Sequence, residues 1–136
     1  MSRRRIPQNT ESFEYYNANP KDKITSDCVI RALSVALNKP WDEVMTDLMQ
    51  YALKYKLMPN DKDCYAKYLK DLGWIKQRQP RKENNTKYTG KEFVKIFKST
   101  CIAHIGGHHL VCIKDGKVLD TWDSTGGCIG NYWVKE

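Results

Sequence analysis

Asp115-Gly116 separates two apolar segments of the chain, 109–114 and 117–122. Asp-Gly between apolar segments favours a two-residue β-hairpin turn, because both residues tolerate a positive φ. Such a turn pairs Lys114 with Lys117 and so fixes the register of the whole hairpin. Counted outward, His109 lies opposite Trp122, and Asp120 becomes a diagonal neighbour of His109 on the same face. The sequence therefore predicts a hydrogen bond between this histidine and this carboxylate.

Helical periodicity dominates the chain before this hairpin. Cys28–Leu37 is apolar on nearly every side, which is typical of a buried central helix, and Thr25-Ser26-Asp27 supplies N-cap residues before it. Three more helices are predicted at 41–56, 61–72 and 89–97, with short strands starting at 74 and 101 and one more in the tail. Helices followed by a sheet indicate an α+β protein, with N-terminal helices packed on a C-terminal antiparallel sheet.

The length of 136 residues fits one domain, which we assign to 1–136. Hydrophobic residues make up 40% of the chain, enough for a core and too many for a disordered protein. Residues 1–20 are polar and turn-rich. We predict that they form an arm on the surface, anchored by Phe13, Tyr15 or Tyr16.

The expected compartment is the cytoplasm. No segment approaches the ~20 apolar residues of a membrane span, and the basic start lacks the apolar stretch of a secretory signal. The five cysteines are odd in number and scattered, so we expect free thiols in a reducing compartment. The sequence predicts no cofactor, no metal and no membrane partner, and it makes no prediction of oligomeric state.

The net charge of +7 allows acidic partners, nucleic acid among them. Its basic residues concentrate in Arg3-Arg4-Arg5 and in the stretch 76–98. The simpler interpretation is a solvated basic face. No Gly-rich phosphate loop and no basic repeat interleaved with aromatic residues accompanies these charges.

Cys28 is the first residue of the predicted central helix. The helix dipole and the unpaired amides at a helix N-terminus stabilise a thiolate, although a cysteine there can also be a core residue. A thiolate becomes chemically useful beside a histidine that is oriented by a carboxylate, as predicted for His109 and Asp120. The imidazole takes the thiol proton and later gives it to the leaving group.

The order of these residues resembles that of the papain-like cysteine hydrolases: Cys on a helix, then His opening a strand, then Asn or Asp ending the next strand. Papains carry His, a small or apolar residue and Val, followed later by Asn-Ser-Trp. Here His109-Leu110-Val111 precedes Asp120-Thr121-Trp122, with Asp as in the bacteriocin-leader peptidases. Residues 27–33, Asp-Cys-Val-Ile-Arg-Ala-Leu, also resemble small papain-fold proteins of bacteria and phages.

The resemblance implies a papain-like fold and hydrolysis of an amide, peptide or isopeptide bond in a peptide or protein substrate. It implies Cys28 as nucleophile, His109 as general base and acid, and Asp120 as orienting carboxylate, with Trp122 in the cleft wall. Papains place a Gln for the oxyanion six residues before the nucleophile, where this chain has Asp22. The oxyanion donors would then be the Cys28 backbone amide together with residues nearby in the sequence: Thr25, Ser26 or Lys23.

Other assignments stay open at the level of sequence. His108 is an alternative to His109, and Asp123 an alternative to Asp120. Arg31, unusual in an apolar helix, either pairs with a buried acid or extends to solvent.

Two further functions compete with hydrolysis. Zinc could be bound by four residues with ligand-type side chains in a short span: Cys101, His104, His108 and Cys112. Alternatively, the fold could be an idle papain-like binding module whose basic surface holds nucleic acid or an acidic protein.

Overall fold

The computed structural model describes residues 6–136, which form four helices and one six-stranded sheet. The helices are α1 (Cys28–Leu37), α2 (Trp41–Tyr55), α3 (Lys62–Asp71) and α4 (Gly90–Ile96). The strands are β1 (Phe13–Tyr15), β2 (Trp74–Gln77), β3 (Cys101–Ile105), β4 (His109–Lys114), β5 (Lys117–Asp120) and β6 (Ile129–Lys135). The predicted α+β class is confirmed, and no helix in 6–136 is long and apolar enough to cross a membrane.

The sheet has the strand order β1-β5-β4-β3-β6-β2. Four of its five pairings are antiparallel, but β1 runs parallel to β5. The prediction of a purely antiparallel, C-terminal sheet is therefore wrong at the edges. Both edge strands come from earlier in the chain, and their positions depend on long-range pairing that local periodicity does not encode.

In the predicted N-terminal arm, Phe13 is an anchor as expected, but the strand β1 that contains it was not predicted. Phe13 is fully buried, and β1 pairs with β5 from Phe13↔Val118 to Tyr15↔Asp120. This segment is thus part of the sheet, because the edge of β5 offers unpaired backbone groups to it. Residues 1–5, including Arg3-Arg4-Arg5, lie outside the described part of the chain.

The hairpin turn at Asp115-Gly116 has the predicted register. Both turn residues have positive φ, 54° and 75°, and the ladder runs from Lys114↔Lys117 to Cys112↔Leu119. The strand ends at Asp120, whereas the sequence predicted a strand to residue 122. Beyond it the chain turns away and folds back beneath Asp120.

Two hydrophobic cores lie on opposite faces of the sheet, since alternate residues of a strand point to opposite sides. Ile102 and Leu110 pack with α1, α2 and α3, whereas Ala103 and Val111 pack with α4. Helix α1 lies against β4 and contributes buried Val29, Ile30 and Leu33 to the first core, as its apolar sequence predicted. This packing sets the start of α1 beside the start of β4.

Candidate active site

Three separate elements bring Cys28, His109 and Asp120 together. Cys28 opens α1, His109 opens β4, and Asp120 ends β5. The imidazole of His109 lies against the Cys28 thiol, and its Nε2 lies 2.6 Å from Oδ2 of Asp120. The predicted bond between the histidine and the carboxylate is therefore present, and Nε2 is the nitrogen that makes it. The other ring nitrogen, Nδ1, is left for the thiol.

Asp120 is buried, and donors surround both of its carboxylate oxygens. Oδ1 accepts from the Thr121 amide at 2.7 Å and from Nη1 of Arg31 at 3.0 Å. Oδ2 accepts from the Ser124 hydroxyl at 2.9 Å, in addition to its contact with His109. A buried carboxylate held by this many donors is fixed in position and favoured as the anion.

Asp27 occupies the N-cap position of α1, but its side chain makes no capping hydrogen bond. Its Oδ1 accepts from Nε of Arg31 at 2.8 Å, and its Oδ2 accepts from Trp41 Nε1 at 3.0 Å and Asn19 Nδ2 at 3.2 Å. The expected side-chain cap is therefore wrong, since these three donors engage the carboxylate instead. The backbone amides in the first turn of α1, close to the thiol, therefore donate no hydrogen bond to the Asp27 side chain.

Arg31 pairs with buried acids, which is one of the two alternatives that the sequence left open. Its guanidinium spans Asp27 on its own helix and Asp120 on β5, with only 11% of the side chain exposed. Burial disfavours the cation, but the hydrogen bonds and charges of the two carboxylates outweigh this and raise the pKa of Arg31. The residue is therefore a permanent cation between two buried anions.

The thiol of Cys28 is half-buried, and burial is the largest influence, opposing its ionisation. The hydrogen bonds from His109 and the Leu110 backbone, with the charges of His109 and Arg31, together overcome burial and lower the pKa of Cys28. Burial likewise opposes the imidazolium, but Asp120 and Cys28 raise the pKa of His109 to about 9. The two shifts favour a thiolate–imidazolium pair at neutral pH.

The other cysteines differ from Cys28. Burial raises the pKa of Cys64 and Cys101, and it raises the pKa of Cys112 to about 12. Cys128 is exposed. Among the cysteines of residues 6–136, Cys28 is thus the one whose surroundings lower the pKa.

A cleft of about 340 Å³ opens over Cys28 and His109. Trp122 forms one wall, half-exposed, with its ring centroid 4.9 Å from that of His109. The predicted oxyanion candidates Thr25 and Ser26 line this cleft. Among residues 6–136, neither Lys23 nor Asp22 lines this cleft. A larger hollow of about 940 Å³ lies between the hairpin and the start of α2, away from these residues.

Asn60 also lines the cleft, and sequence reasoning missed it. It lies in the connection between α2 and α3, within a Met-Pro-Asn break that was interpreted only as a helix boundary. A polar amide in such a break resembles any other turn residue. Only the packing of α2 and α3 against α1 brings it to the cleft.

The alternative site residues have other places. His108 is exposed at the cleft rim, and it is His109 that contacts Asp120. Asp123 is exposed and accepts hydrogen bonds from the backbone and hydroxyl of Thr125, at 3.1 and 2.5 Å. Asp123 therefore shapes the turn after β5, and Asp120 is the carboxylate at the histidine.

The residues of the zinc hypothesis do not converge. Cys101 packs in the core on the α4 side of the sheet. Cys112 lies opposite Ile102 in the ladder and points to the other side of the sheet, where Ile102 packs with α1, α2 and α3. His104 is buried, with Nε2 2.5 Å from the Tyr65 hydroxyl. Within 6–136 no group of three or more His, Cys, Asp or Glu is arranged to hold a metal ion.

Comparisons with known proteins add no relative. No protein-family model, curated protein or solved structure matches this chain.

Proposed function

We propose that this protein is a papain-like thiol hydrolase that cleaves an amide, peptide or isopeptide bond. The observation that supports this most strongly is the continuous contact from the Cys28 thiol through His109 to Asp120. A thiol at a helix N-terminus, an imidazole on it and a buried carboxylate behind the imidazole are the groups that acyl transfer by cysteine needs.

In the proposed reaction, the Cys28 thiolate attacks the carbonyl carbon of the substrate and forms a tetrahedral oxyanion. His109, as imidazolium, gives its proton to the leaving amine when the C–N bond breaks. Water then attacks the thioester, with His109 taking its proton, and the thiolate leaves with release of the acid. Asp120 stays ionised throughout and holds the ring in position.

The oxyanion requires hydrogen-bond donors near the nucleophile. The Cys28 amide is a suitable donor, because Cys28 is the first residue of α1 and the first amides of a helix have no partner within it. Ser26 and Thr25 can add hydroxyl donors from the same wall. Asn60, in the connection between α2 and α3, can supply a side-chain amide donor in place of the glutamine that papains use.

The substrate we expect is an extended polypeptide. The cleft is open to solvent, and the exposed Trp122 offers an apolar surface beside the histidine. Aromatic side chains of this kind bind apolar groups while their polar edge stays hydrated.

Site-resolved alkylation tests the reactive pair. Purified protein is treated with iodoacetamide across acidic and neutral pH, and each cysteine is followed by mass spectrometry in wild type and His109→Ala. Rapid alkylation of Cys28 below pH ~7, well under the ~8.5 of a free thiol, is expected, and it should be lost in His109→Ala. Exposed Cys128 is the internal control in the same sample.

Hydrolysis is then tested with a mixed peptide library read by mass spectrometry. Cleavage by wild type should disappear in Cys28→Ala and fall by roughly a hundredfold or more in His109→Ala. Cleavage that persists in Cys28→Ala would overturn the proposal. If Cys28 also alkylates no faster than Cys128, the fold serves another purpose, and salt-sensitive binding of nucleic acid becomes the first alternative to test.

A further inference from the structure

We propose that Arg31 is a positioning residue of this site: its charge, held between Asp27 and Asp120, sets the pH range over which the Cys28–His109 ion pair exists. This inference rests on the proposed function. Arg31 is not one of the three proposed catalytic residues. It hydrogen-bonds Asp120 and acts on Cys28 through its charge.

The geometry makes Arg31 a bridge with two different ends. Nε donates to Oδ1 of Asp27 at 2.8 Å, and Nη1 donates to Oδ1 of Asp120 at 3.0 Å. Nη1 also lies 3.3 Å from the Thr121 hydroxyl. A planar guanidinium can hold two carboxylates in a fixed relation, which the single point charge of a lysine does less well. The bridge ties the start of α1, where the thiol lies, to the end of β5.

Burial makes this charge consequential. The side chains of Asp27 and Asp120 are 4% and 1% exposed, so two carboxylates share a region with little solvent. Arg31 supplies one cation to this region and the imidazolium of His109 supplies a second, against the two carboxylates and the Cys28 thiolate. Charges in such a region are screened less than on the surface, so each one shifts the titration of its neighbours.

Charge and geometry predict opposite changes at His109. Removal of a cation raises the proton affinity of every nearby group, so His109 and Cys28 should both titrate at higher pH without Arg31. If Arg31 only oriented Asp120, its loss would weaken the His109–Asp120 bond and lower the pKa of His109. The direction of the His109 shift therefore separates the two roles.

The titratable groups around Arg31 come from several elements. Asp27 immediately precedes α1 and Cys28 opens it, whereas Asp120 lies on β5 and His109 on β4. Tyr65 of α3 is near enough to Cys28 for their charges to interact, and burial raises its pKa, so it stays neutral near pH 7. His108 lines the same cleft but is present in every variant below.

The experiment compares wild type, Arg31→Met and Arg31→Lys. The imidazole titration of His109 is followed by NMR, and the acid limb of Cys28 is followed by alkylation. Arg31→Met should move both titrations to higher pH by about one unit. Arg31→Lys keeps the charge and should leave both within about 0.3 units of wild type, even if its stability falls.

Each outcome has a defined meaning. A lower or unchanged His109 titration in Arg31→Met overturns the inference while leaving the thiol–imidazole pair intact. Should Arg31→Met fail to fold, a fall in the His109 titration of Arg31→Lys, which retains the charge but not the fork, would overturn it equally. Absence of a reactive Cys28 in wild type would instead overturn the proposed function itself.

Discussion

Asp27 precedes Arg31 by one helical turn, and their side chains form an ion pair of 2.8 Å at a helix start where a capping bond was expected. Because the pair is nearly buried, loss of the carboxylate leaves Arg31, Trp41 and Asn19 without this acceptor. Asp27→Ala should lower the free energy of unfolding by roughly 3 kcal/mol, measured by urea denaturation. Exposed Glu11→Ala is the control, with an expected change within about 0.5 kcal/mol. Equal, small effects of both variants would contradict a structural role for this pair.

Asp120→Asn should lower the pKa of His109. Burial lowers that pKa, but Asp120 and Cys28 together raise it to about 9, and an amide of the same shape as Asp120 lacks the charge that contributes to this. The titration should therefore fall toward the ordinary value of 6.5, and the imidazolium should be lost near neutral pH. NMR titration of the imidazole measures this directly. Asp123→Asn is the control and should leave the His109 titration in place, because Asp123 bonds Thr125.

His104 should make stability fall with acid. Burial, with smaller contributions from Lys62 and Lys76, lowers its pKa to about 4 from 6.5. Since the unfolded chain binds this proton more readily, the stability is complete above pH 6.5 and is lost as pH falls toward 4. The loss amounts to about 3 kcal/mol when both limits are reached.

Denaturation curves of His104→Gln and wild type across this pH range test that dependence. The variant should be less stable near neutral pH, because it loses the bond to Tyr65, and its stability should change less with acid. His108→Gln is the matched control: His108 is exposed and makes the smallest of the named contributions to the His104 pKa, so this variant should stay close to the wild-type profile. Parallel profiles for His104→Gln and wild type would contradict the assignment.

Gly90→Ala should destabilise the packing of α4 against the turn 124–127, which supplies Ser124 to Asp120. A Cβ at this position would lie 2.7 Å from Cδ1 of Ile105 and 3.2 Å from Cα of Thr125, so side chain and backbone must shift. The Gly90 amide also donates to the carbonyl of Gly127, the last residue of this turn. A loss of about 1–3 kcal/mol is expected in thermal or urea unfolding. Gly126→Ala, where a Cβ meets nothing within 4 Å, should change stability much less, and a similar loss there would contradict this reason.

Local sequence signals predicted much of the framework. The apolar segment Cys28–Leu37 is α1 from its first residue to its last. The third helix was predicted to end at residue 72, and Gly73, the next residue, has the positive φ of 87° that glycine adopts easily just beyond a helix. Thr89, at the predicted start of the fourth helix, caps α4 together with Glu92. In each case the information lies within a few residues, where backbone preference and capping act.

The predictions that were wrong depended on residues far apart in the chain. The N-terminal segment was predicted as an arm with Phe13 as one possible anchor, and Phe13 is buried, but the pairing of β1 with β5 was not predicted. Asp27, one of three N-cap residues offered before α1, makes no capping bond, because its carboxylate also accepts from the more distant Trp41 and Asn19. Asn60 was not considered, because nothing in its neighbourhood indicates a cleft.

The sequence by itself determined where helices, turns and hairpin lie, because those depend on neighbours along the chain. Through the Asp-Gly turn, it also determined that His109 and Asp120 would be close. Only the tertiary structure decided that the predicted Cys28 thiol lies at that histidine and which acids the arginine of α1 holds. Cys28 and Arg31 reach the hairpin because α1 packs its apolar side against β4, and burial there gives each charge a strong effect on the others.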